Sequence, residues 1–414
     1  MTPHIPMPRS ALTDGAGPAL LASLTAAADA RLAEALDLRR ELHASPRLSG
    51  DEAHTRDTLL ERMPWAAVDH VAGTGAVVRL NQTDQASVVF RADIDALPID
   101  EETEVSWRSA VPGVMHACGH DVHMAAAWLA FAAIRDAGPR PLAPALLLQP
   151  REESAPQGGA DVMREGILTR LGTRSVIGVH VQPELPLGTI SAPPGMVNAS
   201  WDDFTITVRG RGGHGAYPHT TKDPIPVMCS IVAALQQVVS RRMDPMRATV
   251  LTIGTIHGGT GANIVADSVT CSGTLRTSLD QDRLQVHAEI EHIVKAYTGG
   301  HGVDGDYVVD GGGPPLINND ALSAHTEALL RQASFKVASP GFRSCGSDDF
   351  SYYTEAFPSL MTFVGTGREK DGTGLHHARF LPPDRLVRDC ALALLAGYTA
   401  ANAAQPDGLE DFSD

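Results

Sequence analysis

Positive charge is what this chain is short of. Its 33 lysines and arginines face 49 aspartates and glutamates, for a formal net charge of −16 at pH 7. Such a surface has no pull on the phosphates of nucleic acid or on an anionic bilayer, so neither is expected as a partner. Local arginines and metals can still attract a small carboxylate. Cysteine is also sparse: Cys118, Cys229, Cys271, Cys345 and Cys390 are scattered and odd in number. That usage suits a reducing cytoplasm and not a disulfide framework. No apolar run approaches a membrane span. Residues 1–20 hold proline and glycine but no hydrophobic signal core, and read as a short loose arm. The acidic end, 405–414, reads as a frayed tail. Repeats and low-complexity blocks are missing too.

At 414 residues the chain exceeds the usual size of one core, and its 43% hydrophobic content is ample for burial. Two domains are therefore expected. Helical patterns at 26–43, 123–136 and 160–168 alternate with apolar strand patterns at 87–92, 143–149 and 175–181. Alternation of this kind predicts an α/β domain with a mostly parallel sheet. Ligands in such sheets bind beyond the carboxyl ends of the strands, where Asp93, Asp95, Glu152, Glu153 and His180 fall. After Gly195 the texture changes. Strand patterns at 203–209, 249–257, 267–277 and 303–309 and helical patterns at 223–242 and 281–297 follow the order β-α-β-β-α-β. That order is the ferredoxin-like split motif. The α/β texture then returns, with helices at 321–332 and 383–401 and a strand at 360–364. The expected division is a discontinuous catalytic domain, 1–199 plus 314–414, with an inserted domain at 200–313.

The densest chemistry lies in Met115-His116-Ala117-Cys118-Gly119-His120-Asp121-Val122-His123. A cysteine and an imidazole two residues apart make a half-site for zinc or a similar divalent ion. Gln149-Pro150-Arg151-Glu152-Glu153 adds two adjacent carboxylates. Adjacent residues are expected to point different ways, one toward a metal and its neighbour toward substrate as general base. His180 sits in an apolar strand, and Leu375-His376-His377 supplies a further imidazole from one of its two histidines. Cys118, His120, Glu153, His180 and one of His376 or His377 exceed the four ligands of a closed structural site. Five donors and a spare glutamate fit a hydrolytic centre of two metals with a bridging hydroxide.

With these residues in hand, the chain resembles the metallo-aminoacylase family of hippurate hydrolase, N-acyl-amino-acid amidohydrolases and plant auxin-conjugate hydrolases. That family sits within the glutamate-carboxypeptidase-like and desuccinylase-like dinuclear enzymes. The likeness runs through Leu38 to His43, Phe90 to Pro98, Met115 to His123, Gln149 to Glu153, Gly212 to His219, Gly346 to Phe350 and Gly365 to Gly367. It implies two divalent ions, zinc or manganese, with cobalt or nickel also tolerated. Cys118 would bridge them, with His120, Glu153, His180 and His376 completing the shell. Glu152 would act as general base on a metal-bridged water and then as acid. Asp93, Asp95 and Asp121 would orient imidazoles. His116 and His123 have no assigned task.

The resemblance further implies that the inserted domain is a lid and dimerisation unit of a homodimer. His214 would reach a partner's site as an oxyanion donor, while Asn263 and Arg276 would hold the substrate carboxylate. The family's pattern is broken at Arg151, where a small residue is usual, at Asp348, and at His377-Ala378. The expected reaction is hydrolysis of an N-acyl amino acid to a carboxylate and a free amino acid. Rivals are a dipeptidase or carboxypeptidase using the same centre, and a silent homologue that only binds.

Overall fold

Seven-residue apolar strands form the centre of the larger sheet. In the computed structural model, which describes residues 16–80, 87–138, 142–367 and 373–403, eight strands line up in one mixed sheet. Their order is Ala67–Val71, Gly75–Arg79, Ala143–Gln149, Ser87–Asp93, Thr173–Gln182, Ser359–Gly365, Thr189–Ser191 and Lys336–Val337. The four strands from Ala143–Gln149 to Ser359–Gly365 are mutually parallel. Antiparallel pairings join strands on either side of them. Ser87–Asp93 and Ser359–Gly365 are buried at every position, as strands covered on both faces must be.

The helices differ in how much of their surface is covered. Ala16–Ala44 buries one stripe, including Leu21, Leu24, Ala28, Ala35, Leu38 and Leu42, at the three- and four-residue spacing of a helix lying on a core. His120–Ala137 is buried on all sides from His120 to Ile134. Its run of alanines lets neighbouring elements approach closely, and it packs against Ala16–Ala44 and Arg385–Ala403. Any loose arm must stop before Ala16, where the first helix begins. The stretches 1–15 and 405–414 lie outside the described residues. Among the described residues, no helix is long and apolar enough to cross a membrane.

The chain divides into two units, one of 1–197, 317–342 and 352–414, the other of 198–316 and 343–351. The smaller unit runs strand Trp201–Arg209, helix Pro224–Arg242, strands Thr249–Gly258 and Ser268–Thr277, helix Asp280–His301 and strand Asp304–Gly313. Its four long strands are antiparallel, and Trp201–Arg209 lies inside, between Ser268–Thr277 and Asp304–Gly313. Phe204, Ile206 and Val208 alternate into a core with Val227, Ile231, Leu235, Ile290 and Val294 of the two helices. Asp223 starts the first helix by accepting the Ile225 N–H at 3.0 Å. The stretch 343–351, expected in the larger unit, clusters with the smaller one because the Ala199 N–H donates to the carbonyls of Ser344 and Gly346.

Gly158 opens the helix Gly158–Glu165 against the end of the neighbouring loop, and a Cβ there would overlap the Pro150 carbonyl. Replacing Gly158 by alanine is therefore expected to destabilise the protein by about 1–3 kcal/mol, read as a lower urea midpoint at unchanged slope.

Candidate metal centre

Cys118 and His120 are set by the glycine between them. Gly119 has a φ of +88°, and any Cβ there would meet Val181 Cγ2 at 2.5 Å. Glycine alone fits that turn, which places the sulfur and the imidazole at the head of His120–Ala137. His120 Nδ1 donates to the Asp95 carbonyl at 2.9 Å. Its Nε2 is buried and has no hydrogen-bond partner. His180 Nδ1 donates to the Val181 carbonyl at 2.6 Å, turning Nε2 toward Cys118 Sγ at 3.4 Å. Burial, with His123 nearby, pushes the His180 pKa down to about 3, so it is a neutral imidazole with a lone pair to offer.

The expected donors do converge. Cys118, His120 and His180 form one group with ligand atoms within 4.8 Å of one another, and Cys118, Glu153 and His376 form a second. Cys118 belongs to both. Glu153 Oε1 is buried without a hydrogen-bond partner, 3.8 Å from His120 Nε2 and 3.3 Å from His376 Nε2. Burial, and then the Glu153 carboxylate, push the Cys118 thiol well above its ordinary pKa. A divalent cation would reverse that by drawing out the thiolate and taking up the orphaned atoms, so the residues fit metal.

His376 and His377 part company. The His376 N–H donates to the Ala117 carbonyl at 2.8 Å, and Glu153 holds its imidazole above the ordinary pKa against partial burial. His377 Nδ1 instead accepts the Arg379 N–H at 3.1 Å. Glu152 and Glu153 correct the expectation that neighbours must diverge. Glu152 Oε2 lies 3.9 Å from the same His120 Nε2 that Glu153 approaches. Alternation holds only in extended backbone, and residues 152–156 bend.

Each of the three aspartates meets a different imidazole. Asp95 acts on an expected ligand, through its carbonyl to His120, and its Oδ2 takes Ser49 Oγ at 2.7 Å and the Glu153 N–H at 2.9 Å. Asp93 accepts from His123 Nδ1 at 2.9 Å and from Arg91. His123 Nε2 accepts the Val181 N–H at 3.0 Å, so both its nitrogens are occupied and it braces the peptide after His180. Asp121 does hold an imidazole, but that of His43, at 3.1 Å, together with Arg39 at 2.9 Å. His116 is buried with neither ring nitrogen hydrogen-bonded, and burial lowers its pKa to about 4.

Arg39, His43 and Glu101 are contributors that sequence reading missed. Arg39 and His43 lie beside Leu38 and Leu42 on the buried stripe of the first helix, a placement that polar residues rarely take without partners. That misfit was the available signal.

In the smaller unit, His214 and Asn263 come together. His214 pairs with Ile264 across two short strands, and the Gly215 N–H donates to the Asn263 carbonyl at 2.7 Å. His214 is exposed and its Nδ1 accepts the Ala216 N–H at 3.1 Å, so Nε2 is the ring nitrogen left to donate. Arg276 is half-buried on Ser268–Thr277, with Nη1 donating to Ser347 Oγ at 2.8 Å.

The chain as a whole has relatives among known proteins. The model of peptidase family M20/M25/M40 matches residues 89–396. The chain belongs to that family. The N-acetyldiaminopimelate deacetylase of Bacillus subtilis (strain 168) is 32% identical over 381 residues, covering 90% of this chain and all of that protein. The N-acetyl-L-cysteine deacetylase of the same strain is 32% identical over 350 residues, covering 83% and 82% of the two. The crystal structure of the Bacillus subtilis YXEP protein, a dinuclear metal binding peptidase from the M20 family, matches with a TM-score of 0.75 at 27% identity. It covers 91% of this chain and 98% of that one. This M20 chain is accordingly a metal-dependent amidohydrolase.

The His43 network makes its stability pH-dependent. Burial alone would lower the His43 pKa, but Asp121 and then Glu101 outweigh it and raise the value to about 9. The stabilisation this proton provides is complete below an unfolded value near 6.5 and disappears as pH rises through about 9. His43→Gln should cost on the order of 3 kcal/mol at pH 6, with the gap to wild type closing by about pH 10. Denaturant titrations of both proteins across that range measure it.

Proposed function

We propose that this M20 hydrolase removes the acyl group from small N-acyl amino acids, within the aminoacylase branch of the family. The observation that carries the reading is Cys118 standing in both donor groups, with His120 and His180 on one side and Glu153 and His376 on the other. Those five residues would together hold two divalent ions, zinc or manganese, with cobalt or nickel as alternatives. The likeness to a dinuclear metal binding peptidase supports two ions. Relatives named for N-acetyldiaminopimelate and N-acetyl-L-cysteine support the substrate class.

Bound at these residues, such ions supply Lewis acidity, polarising the amide carbonyl and making water acidic enough to attack near neutral pH. The protein's own groups do the rest. Glu152, placed beside Glu153 and His120, accepts a proton from the attacking water. It returns that proton to the amine nitrogen as the C–N bond breaks, leaving a carboxylate and a free amino acid. His123 and Asp95 keep the ligand side chains in place, which fixes the distance between base and carbonyl.

In this reading the larger unit is the catalytic domain, and the smaller unit, built on 200–313, is a ferredoxin-like lid and dimerisation domain. The strand and helix order of the smaller unit supports it. His214, through Nε2, donates to the oxyanion across a homodimer. Asn263 and Arg276 hold the amino acid's carboxylate.

Metal analysis and a substrate panel test the reading. The purified protein should carry two divalent ions, lose activity on chelation and regain it on metal return. N-acetyl and N-benzoyl amino acids should be cleaved faster than dipeptides; the reverse order would make it a peptidase. Glu152→Gln should lower kcat by about 10²–10⁴-fold while metal content stays at wild-type level. Unchanged turnover in that variant would end the assignment of Glu152.

A further inference from the structure

Arg151 stands immediately before the two glutamates, with a φ of +51°. That left-handed conformation is unfavourable for a side-chain-bearing residue and persists only where surroundings enforce it. Here they do. Nε donates to the Pro156 carbonyl at 3.0 Å, Nη1 to the Ala72 carbonyl at 3.0 Å, and Nη2 to Asp161. The Arg151 N–H donates to Glu52 Oε1 at 3.0 Å, and its carbonyl accepts the Gly158 N–H at 3.0 Å. Glu52 is itself fully buried and held by the Gly50 N–H at 2.7 Å. The acceptor Ala72 is also left-handed, with a φ of 50°, and its N–H is fixed by Glu165 at 2.8 Å.

One guanidinium thus ties three stretches of chain: the turn after Ala67–Val71, the loop ending at Pro156, and the helix Gly158–Glu165. On the far side of Glu152, the Glu153 N–H is fixed by Asp95 Oδ2 at 2.9 Å. Glu152 is bracketed by hydrogen-bonded peptides in a segment whose bend turns both carboxylates toward His120 Nε2.

We infer that Arg151 is a positioning residue that holds the strained turn through which Glu152 and Glu153 face one site. It touches no reacting atom and acts through the backbone. For its effect on turnover, the inference rests on Glu152 being the base.

Two substitutions separate positioning from plain stability. Arg151→Ala loses the ties and keeps the backbone strain; Arg151→Gly loses the ties but relieves the strain. Arg151→Gly should therefore melt higher than Arg151→Ala. In both, amide hydrogen exchange over residues 151–157 should accelerate at least tenfold. Turnover of the best substrate in the panel above should drop about 10–100-fold in kcat, with KM within about threefold and metal content unchanged. If either variant fails to fold, Arg151→Lys, able to reach only one acceptor at a time, should show faster exchange and a smaller drop in kcat. Wild-type exchange in this segment overturns the pin itself. Activity recovering with stability in Arg151→Gly overturns the positioning role, as does loss of metal in both variants. Glu152→Gln is the control: if it stays active, the assignment of the base fails while the exchange result still judges Arg151.

Discussion

The buried cluster at the carboxyl ends of the central strands holds more lone pairs and acids than the protein can satisfy from within. His120 Nε2 and Glu153 Oε1 are buried without hydrogen bonds, and the Cys118 thiol sits among acidic groups. Leaving such groups unpaired costs a few kcal/mol for each polar atom and more for each charge. Around them most carboxylate oxygens are engaged, while Asp95 Oδ1, Asp121 Oδ1 and both His116 ring nitrogens also stay unpaired. Arg91 and His123 occupy Asp93, Arg39 and His43 occupy Asp121, and Ser49 and the Glu153 N–H occupy one oxygen of Asp95. Of the unpaired atoms, His120 Nε2 and Glu153 Oε1 belong to residues grouped with Cys118, and that grouping is what suits cations.

That centre depends on the scaffold in a specific way. Parallel strands end together, so Asp93 and Gln149 arrive at one edge beside His180. The helix starting at His120 is buried all round and cannot slide. Arg39 reinforces it by bonding Asp121, Asp384 and the Pro382 carbonyl at once, joining the first helix, the helix that begins at His120 and the approach to the last one. The position of His120 is thus set by charges that never meet the reacting atoms.

Much of this was legible in the sequence. Apolar runs of strand length located Ser87–Asp93, Ala143–Gln149 and Ser359–Gly365 because strands buried on both faces carry almost no polar residues. The short strands Thr189–Ser191 and Lys336–Val337 were not visible, since two or three residues carry no period. The candidate donors could be singled out from residue type and spacing. Which carboxylate meets which imidazole could not, because a hydrogen bond such as Asp121 to His43 spans 78 residues and leaves no local trace. His123 carries no assigned task in the sequence, and only the fold shows both of its nitrogens occupied.

The glutamate pair shows where sequence rules stop. Alternation of side chains is a property of extended backbone, and it would have sent Glu152 and Glu153 to opposite sides. A single left-handed residue ahead of them changes the local path, and the residue there is an arginine where glycine would adopt that φ freely. Read as a string, Arg151 is only a departure from the small residue that the resemblance leads one to expect there. In the fold, its guanidinium supplies the bonds that hold the turn against its own strain. A larger residue is compatible there because it carries its own restraint. A smaller one would need another source of order for the same bend.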